Sequence, residues 1–265
     1  MSESPIDLMT VVYSIGAFAL LVGTIPAIRL LGGGYRGGRF GFLLAIPAVA
    51  GISYVSMAFG GGEVLFQGYP VPIERYADWL ITTPILVGYA AYIAGMSRTW
   101  IIGAAVADAL MIVFGGVAVA LAPPGQWIGF AASALCHLSL LGVLYGILPS
   151  YAQEQPSERR RLARILQNHV GLLWLAYPIV WLFGPGLQAI SATAVGIVIT
   201  FMDVVAKTPY VYFVYRARNV FEKAGPGAPA QGTAARETPA QGPPAKGNVQ
   251  TRPGVAEPSE VPART

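Results

Sequence analysis

Long apolar runs alternate with short polar breaks through residues 1–223 of this chain. Seven runs stand out, at roughly 9–31, 40–60, 75–95, 99–121, 126–148, 160–183 and 190–215. The breaks carry turn residues, as in "LGGGYRGGRF" from Leu31, "GMSRT" from Gly95, "APPGQ" from Ala122 and "FGPGLQ" from Phe183. A helix that crosses a bilayer needs about 20 mostly apolar residues, and each run approaches or exceeds that length. Backbone polar groups in hydrocarbon must be paired within their own segment, which favours helices over an open sheet. The pattern therefore predicts an all-α membrane protein, a bundle of seven transmembrane helices. One stretch departs from it. "EVLFQGYPVPIE", from Glu63 to Glu74, has short alternating apolar positions around Gly68 and predicts a small hairpin on the outer surface.

The pattern ends near Lys223. Residues 224–265 are rich in Pro, Gly, Ala and Gln, with no aromatic residue and no apolar period. Such a segment lacks the apolar surface to offset its ordering entropy and is expected to be a disordered cytoplasmic tail. The chain thus divides into a helix bundle, 1–223, and a tail, 224–265.

Composition agrees with lipid burial. Residues are 54% hydrophobic and only 11% charged, against about 25% charged in soluble domains. The basic residues also have a sidedness. Arg29, Arg36 and Arg39 flank the first break, Arg98 lies in the third, and Arg159, Arg160, Arg161 and Arg164 crowd the fifth. Arg216, Arg218 and Lys223 follow the last run, while the second, fourth and sixth breaks hold no Lys or Arg. The positive-inside rule then predicts the N-terminus outside and the C-terminus in the cytoplasm. The first span is expected to serve as its own insertion signal. The net charge of +4 is accounted for by topology and contact with membrane lipid, and it implies no nucleic acid. Cys136 is the single cysteine and forms no internal disulfide.

Four ionisable residues fall deep inside the runs: Asp78, Asp108, Asp203 and Lys207. Arg75 opens the third run. A charge at the bilayer centre costs at least about 2.5 kcal/mol, so such groups face the bundle interior and find partners. Lys207 admits two readings. It is a structural ion pair with Asp203, one turn away on the same face, or a desolvated amine that condenses with an aldehyde to form a Schiff base. In "RYADWLITTPILVGY" the spacing puts Arg75, Asp78 and Thr82 on one helix face. Two aspartates, a lysine and an arginine are nearly neutral together, which is tolerable in lipid if all four converge. In "LLWLAYPIVWLFGP" Trp174, Tyr177, Pro178 and Trp181 share a face. They are either helix packing or a wall for a long, flat apolar ligand. Pro178 removes a backbone donor and predicts a kink.

"RYADWLITTP", "LLWLAYPIVWL" and "DVVAK", in this order, resemble the microbial rhodopsins of haloarchaeal type. The resemblance covers all seven runs. It implies all-trans retinal held on Lys207 as a protonated Schiff base, with Asp78 as main counter-ion and proton acceptor. Asp203 would be the second carboxylate and Arg75 would lie on the outer side of the pair. Tyr76, Trp79, Thr82, Thr83 and Leu86 would line the polyene from the third helix. Met111, Trp174, Tyr177, Pro178 and Trp181 would line it from the fourth and sixth, and Asp108 would pair with Thr83.

Within that family the chain is most similar to the sensory rhodopsin I type, carried by "VADALMI", "HLSLLGVLY", "NHVGLLWLAYPIVWLFGP" and "FMDVVAKTPYVYFVY". His169 matches a histidine of that type that bears on proton movement and signalling. His137 also matches, with a weak anion site implied beside it. Ala206 stands where the second sensory type carries threonine. The family's proton pumps have an aspartate donor where this chain has Tyr89, and a phenol with a pKa near 10 is a poor donor at neutral pH. "GPGLQAISATAVG", from Gly184, lacks the acids with which pumps release protons. The resemblance thus implies a phototaxis photoreceptor in the cell membrane that signals through a two-helix transducer of methyl-accepting chemotaxis type. A light-driven outward proton pump is the second reading. Nothing points to an enzyme or to a metal site.

Overall fold

The computed structural model describes residues 7–223, so the expected tail at 224–265 lies outside the described residues. Seven helices long and apolar enough to cross a membrane run in chain order: α1 Leu8–Gly32, α2 Phe40–Ala58, α3 Ile73–Ala94, α4 Arg98–Ala120, α5 Gly125–Gln153, α6 Ser157–Gly186 and α7 Ala192–Arg216. Six of the seven expected ranges agree to within three residues at each end. The fifth run extends to Gln153 because a π-helical turn, Val143–Ile147, carries the helix on past the expected end at 148.

Local chemistry sets several ends. Ser97 and Ser191 cap α4 and α7, their hydroxyls accepting from the backbone N–H of Trp100 and Ala194. Gly95 closes α3 in the left-handed conformation that glycine adopts without steric cost. The expected hairpin is present, with β2 (Glu63–Phe66) paired antiparallel to β3 (Tyr69–Pro72). Gln67 and Gly68 turn it with φ of 47° and 80°, the positive values that a two-residue loop of the primed kind demands. The Tyr69 hydroxyl donates to the Ile190 carbonyl and so straps the hairpin to the α6–α7 connection. Burial pushes the Tyr69 pKa to about 12, so the group keeps its proton there. At the opposite end β1 (Tyr35–Arg36) pairs with β4 (Glu222–Lys223).

Successive helices pack side by side, and α7 returns against α1 to close the ring; α3 also touches α6 across the middle. The burial is the inverse of a soluble protein. Phe18 (72% exposed), Phe201 (69%) and Ile128 (68%) point outward, whereas Asp78, Asp108, Asp203 and Lys207 are fully buried. Large apolar side chains outside and charges inside are stable only where hydrocarbon replaces water.

Pro178 interrupts α6 as its chemistry requires. Its ring nitrogen cannot donate to the carbonyl of Trp174, and the regular helix stops at Trp174 and resumes at Ala176. A second distortion, the π-turn Leu182–Gly186, contains Pro185.

Candidate functional site

The Lys207 ammonium is hydrogen-bonded to Asp78 Oδ2 and lies 3.7 Å from Asp203 Oδ2. The ion pair expected with Asp203 is present, and the nearer carboxylate comes from α3, 129 residues away. Both ion pairs are buried. The carboxylates are held differently. Asp78 Oδ1 accepts one hydrogen bond, from Thr82 Oγ1 at 3.0 Å. Asp203 accepts three: Tyr54 at 2.9 Å, Trp79 Nε1 at 3.0 Å and Tyr177 at 2.8 Å. Three neutral donors stabilise the ionised form and fix the carboxylate in place. Asp203 is thus held rigidly, while Asp78 faces the amine with its other oxygen.

A cavity of about 250 Å³ begins at Lys207. Trp79, Leu86, Met111, Trp174, Tyr177 and Trp181 give it apolar and aromatic walls, with Tyr76, Thr83 and Pro178 completing the lining. Trp79 stands edge-on to Tyr177 with centroids 5.3 Å apart, and Trp181 stacks on Phe130 at 4.6 Å. The Nε1 of Trp181 and the Nε2 of His137 are buried without a hydrogen-bond partner among the described residues. A slot of flat rings lined by the Lys207 amine and Asp203, with Asp78 bonded to that amine, suits a long conjugated aldehyde.

Some of the expected site residues stand behind this slot. Thr82 holds Asp78 and does not reach the cavity. Asp108 lies behind Thr83, whose Oγ1 donates to Asp108 Oδ2 at 2.6 Å, so the expected pair between α3 and α4 is present. His169 lies on the far side of α7, with Nε2 3.0 Å from the Ala206 carbonyl, one residue before Lys207. A carbonyl only accepts, so His169 must carry its proton on Nε2.

Arg75 departs from the expected convergence of four charges. It is buried, yet neither carboxylate lies within ion-pair distance. One turn before Asp78 on α3, its guanidinium faces the Tyr13 ring, 6.0 Å from the centroid, and lines the cavity. A shared helix face fixes direction, whereas the partner depends on α1.

Tyr54 and Phe130 were not among the expected site residues. Tyr54 had a visible cue: it is the one aromatic hydroxyl in the second apolar run, spaced from Ala50 and Met57 as on one buried face. Phe130 is one apolar residue among many and carried none.

The sequence model of the family described as "Bacteriorhodopsin-like protein" matches residues 4–220. The chain belongs to the bacteriorhodopsin-like protein family. Sensory rhodopsin-1 of Halobacterium salinarum is 47% identical to this bacteriorhodopsin-like chain over 232 residues, which is 86% of this chain and 97% of the relative. Sensory rhodopsin I of Haloarcula marismortui is 46% identical over 81% of this chain and 92% of its own length. The crystal structure of cyanorhodopsin from the cyanobacterium Calothrix superposes with a TM-score of 0.76 at 28% identity, covering 81% of this chain and 97% of that one.

Proposed function

We propose that Lys207 holds all-trans retinal through an imine at Nζ and that this site drives the response to light. The chain is a retinal-based phototaxis photoreceptor, a multi-pass protein of the cell membrane. One observation carries the site assignment: a fully buried lysine amine, ion-paired to two carboxylates, closes an aromatic-walled cavity. Bound there, retinal supplies light absorption and the isomerisation of a double bond. The chain's own groups do the rest.

Asp78 Oδ2 touches Nζ and is placed to take its proton. Thr82 keeps the Asp78 carboxyl oriented. Asp203, held by Tyr54, Trp79 and Tyr177 and 3.7 Å from Nζ, is placed to balance positive charge there in the dark. Trp79 and Tyr177 both bound the slot and hold Asp203, so pressure on the wall reaches the counter-ion. His169 ties the backbone just before Lys207 to α6, so a shift of that turn is felt by the interrupted helix.

Two features favour receptor over pump. Tyr89 donates its hydroxyl to the Gly38 carbonyl at 2.8 Å and presents no carboxylic proton from the inner side. The α6–α7 connection carries no acid. The 47% identity to sensory rhodopsin-1 supports the same reading. Output requires another protein. A two-helix transducer of methyl-accepting chemotaxis type would dock against α6 and α7, on α7 along the outward apolar stripe of Ile197, Phe201 and Tyr212. A weak anion site at His137 Nε2 belongs to the same reading.

The test is Lys207→Ala. The variant is expected to fold in the membrane and to lose the visible band completely when retinal is added. A retained band with an imine still present would place the attachment elsewhere.

A further inference from the structure

The stripe of α6 nearest its N-terminus is not used by the chromophore site. Ser157, Arg160, Arg161, Arg164, Ile165 and Asn168 line a groove there. Their spacing of three, four, seven, eight and eleven places all six on one side of the helix. None of the three guanidinium groups has a carboxylate within ion-pair distance among the described residues. Arg160 donates to the Gln155 carbonyl through Nη2, while its Nε is buried and unpartnered. Arg159, the next residue, is turned away and bonded to the end of α3.

The same stripe continues into the membrane with the opposite character. Leu172, Leu175 and Ile179 follow Asn168 at helical spacing, and all three are exposed. From Asn168 to Ile179 the helix rises about 16 Å. One helix face therefore presents unpaired guanidinium groups, then an amide, then a strip of bare apolar surface. A ligand that matches it has an anionic head with several acceptor oxygens and a long apolar tail.

We propose that this face is a binding site for an anionic phospholipid. The phosphate seats on Arg160, Arg161 and Arg164, and Asn168 donates to the glycerol oxygens. One acyl chain lies along Leu172, Leu175 and Ile179. Guanidinium groups pair with phosphate through two parallel N–H donors each, so three on one face favour phosphate over a bare carboxylate. The chain's own residues 224–265 are a poor occupant, since they hold four basic against three acidic side chains. The lipid would occupy the flank of the helix that Pro178 interrupts, where it adds to the resistance against outward movement.

The test uses the full-length, retinal-loaded protein in bilayers of phosphatidylcholine containing spin-labelled phosphatidylglycerol. The fraction of label immobilised by the protein gives the preference over spin-labelled phosphatidylcholine. Each surface arginine contributes about 1 kcal/mol toward an anionic headgroup, roughly fivefold in the association constant. The triple variant Arg160→Gln, Arg161→Gln, Arg164→Gln is expected to lose at least tenfold of that preference. The control Arg98→Gln, Arg216→Gln, Arg218→Gln removes the same charge elsewhere and is expected to lose less than threefold. An unchanged visible band confirms that each variant is folded.

Equal losses in the two triple variants would overturn the proposal, because general surface charge would then explain the preference. Displacement of the label by millimolar inorganic phosphate would also overturn it, leaving a phosphate site that makes no use of the chain. Displacement by a glutamate-rich peptide but not by phosphate would assign the face to an acidic protein segment instead.

Discussion

The two buried aspartates both pair with Lys207, Asp78 through a hydrogen bond and Asp203 at 3.7 Å, and their other donors set them further apart. Asp203 accepts from three side chains on α2, α3 and α6, and to protonate it would waste those bonds. Asp78 accepts from Thr82 alone besides the amine. It is the carboxylate free to change charge, and the colour of the chromophore is expected to follow it. A negative charge beside Nζ stabilises the positive ground state, so adding a proton to Asp78 moves the band to the red. The sign is fixed: the red form grows as pH falls. Asp78→Asn is expected to show the red form at every pH, with the acid–base colour transition abolished in a spectrophotometric titration. A variant that still changes colour with pH would assign the titration to another group. Asp78 was legible in the sequence as a charge one turn from Arg75 and Thr82. Tyr54 as its counterpart's partner was not, because a contact across 149 residues leaves no trace in the spacing of one helix.

At the scale of elements, hydropathy gave the spans and Pro178 gave the break in α6, since both depend on local physics. What joins the elements at the inner end was hidden. Arg159, read from sequence as one of four arginines in a basic run, is a clasp between α6 and α3. Its Nε donates to the Ile93 carbonyl at 2.9 Å and its Nη2 to the Tyr92 carbonyl at 3.0 Å, the unpaired acceptors at the end of α3. Its guanidinium also covers one side of the Tyr92 ring, and Arg39 lies within 5.5 Å of the same ring. The Tyr92 and Tyr89 hydroxyls in turn hold the carbonyls of Gly37 and Gly38. Any outward movement of the start of α6 must break the two Arg159 bonds. Charge-assisted bonds of this kind contribute about 1.5–3 kcal/mol each when buried, and less at this half-exposed position. Arg159→Gln is expected to leave the dark spectrum unchanged and to lengthen the late, displaced state about tenfold, equivalent to about 1.4 kcal/mol. Flash photolysis checks it; an unchanged lifetime would show that α6 does not part from α3 during the response.

For the whole molecule, the distribution of proton-carrying groups along the bundle axis decides between signalling and transport. The half nearer the β2–β3 hairpin has an acceptor at Asp78 and a cavity that reaches Arg75, Glu63 and Asp7. The other half, from Leu86 to Ala94 on α3, is packed with buried Val87, Tyr89, Ala90, Ile93 and Ala94. A proton lost from Nζ can leave toward Asp78, but among the described residues α3 offers no carboxylic donor between Leu86 and Ala94, because Tyr89 stands in that place and is bound to Gly38. In the chain expressed without a partner, recovery after a flash is therefore expected to be slow. A small permeant acid such as azide can carry a proton past the packed layer and should quicken recovery at millimolar concentration. Tyr89→Asp should do the same without azide, by at least tenfold, if the donor's place on α3 is the limit. Steady light should drive little net proton transport, and a docked transducer should reduce it further. Fast, azide-insensitive recovery with strong pumping by the unpartnered chain would reverse the assignment, since it would require a proton path from the inner side that bypasses Tyr89.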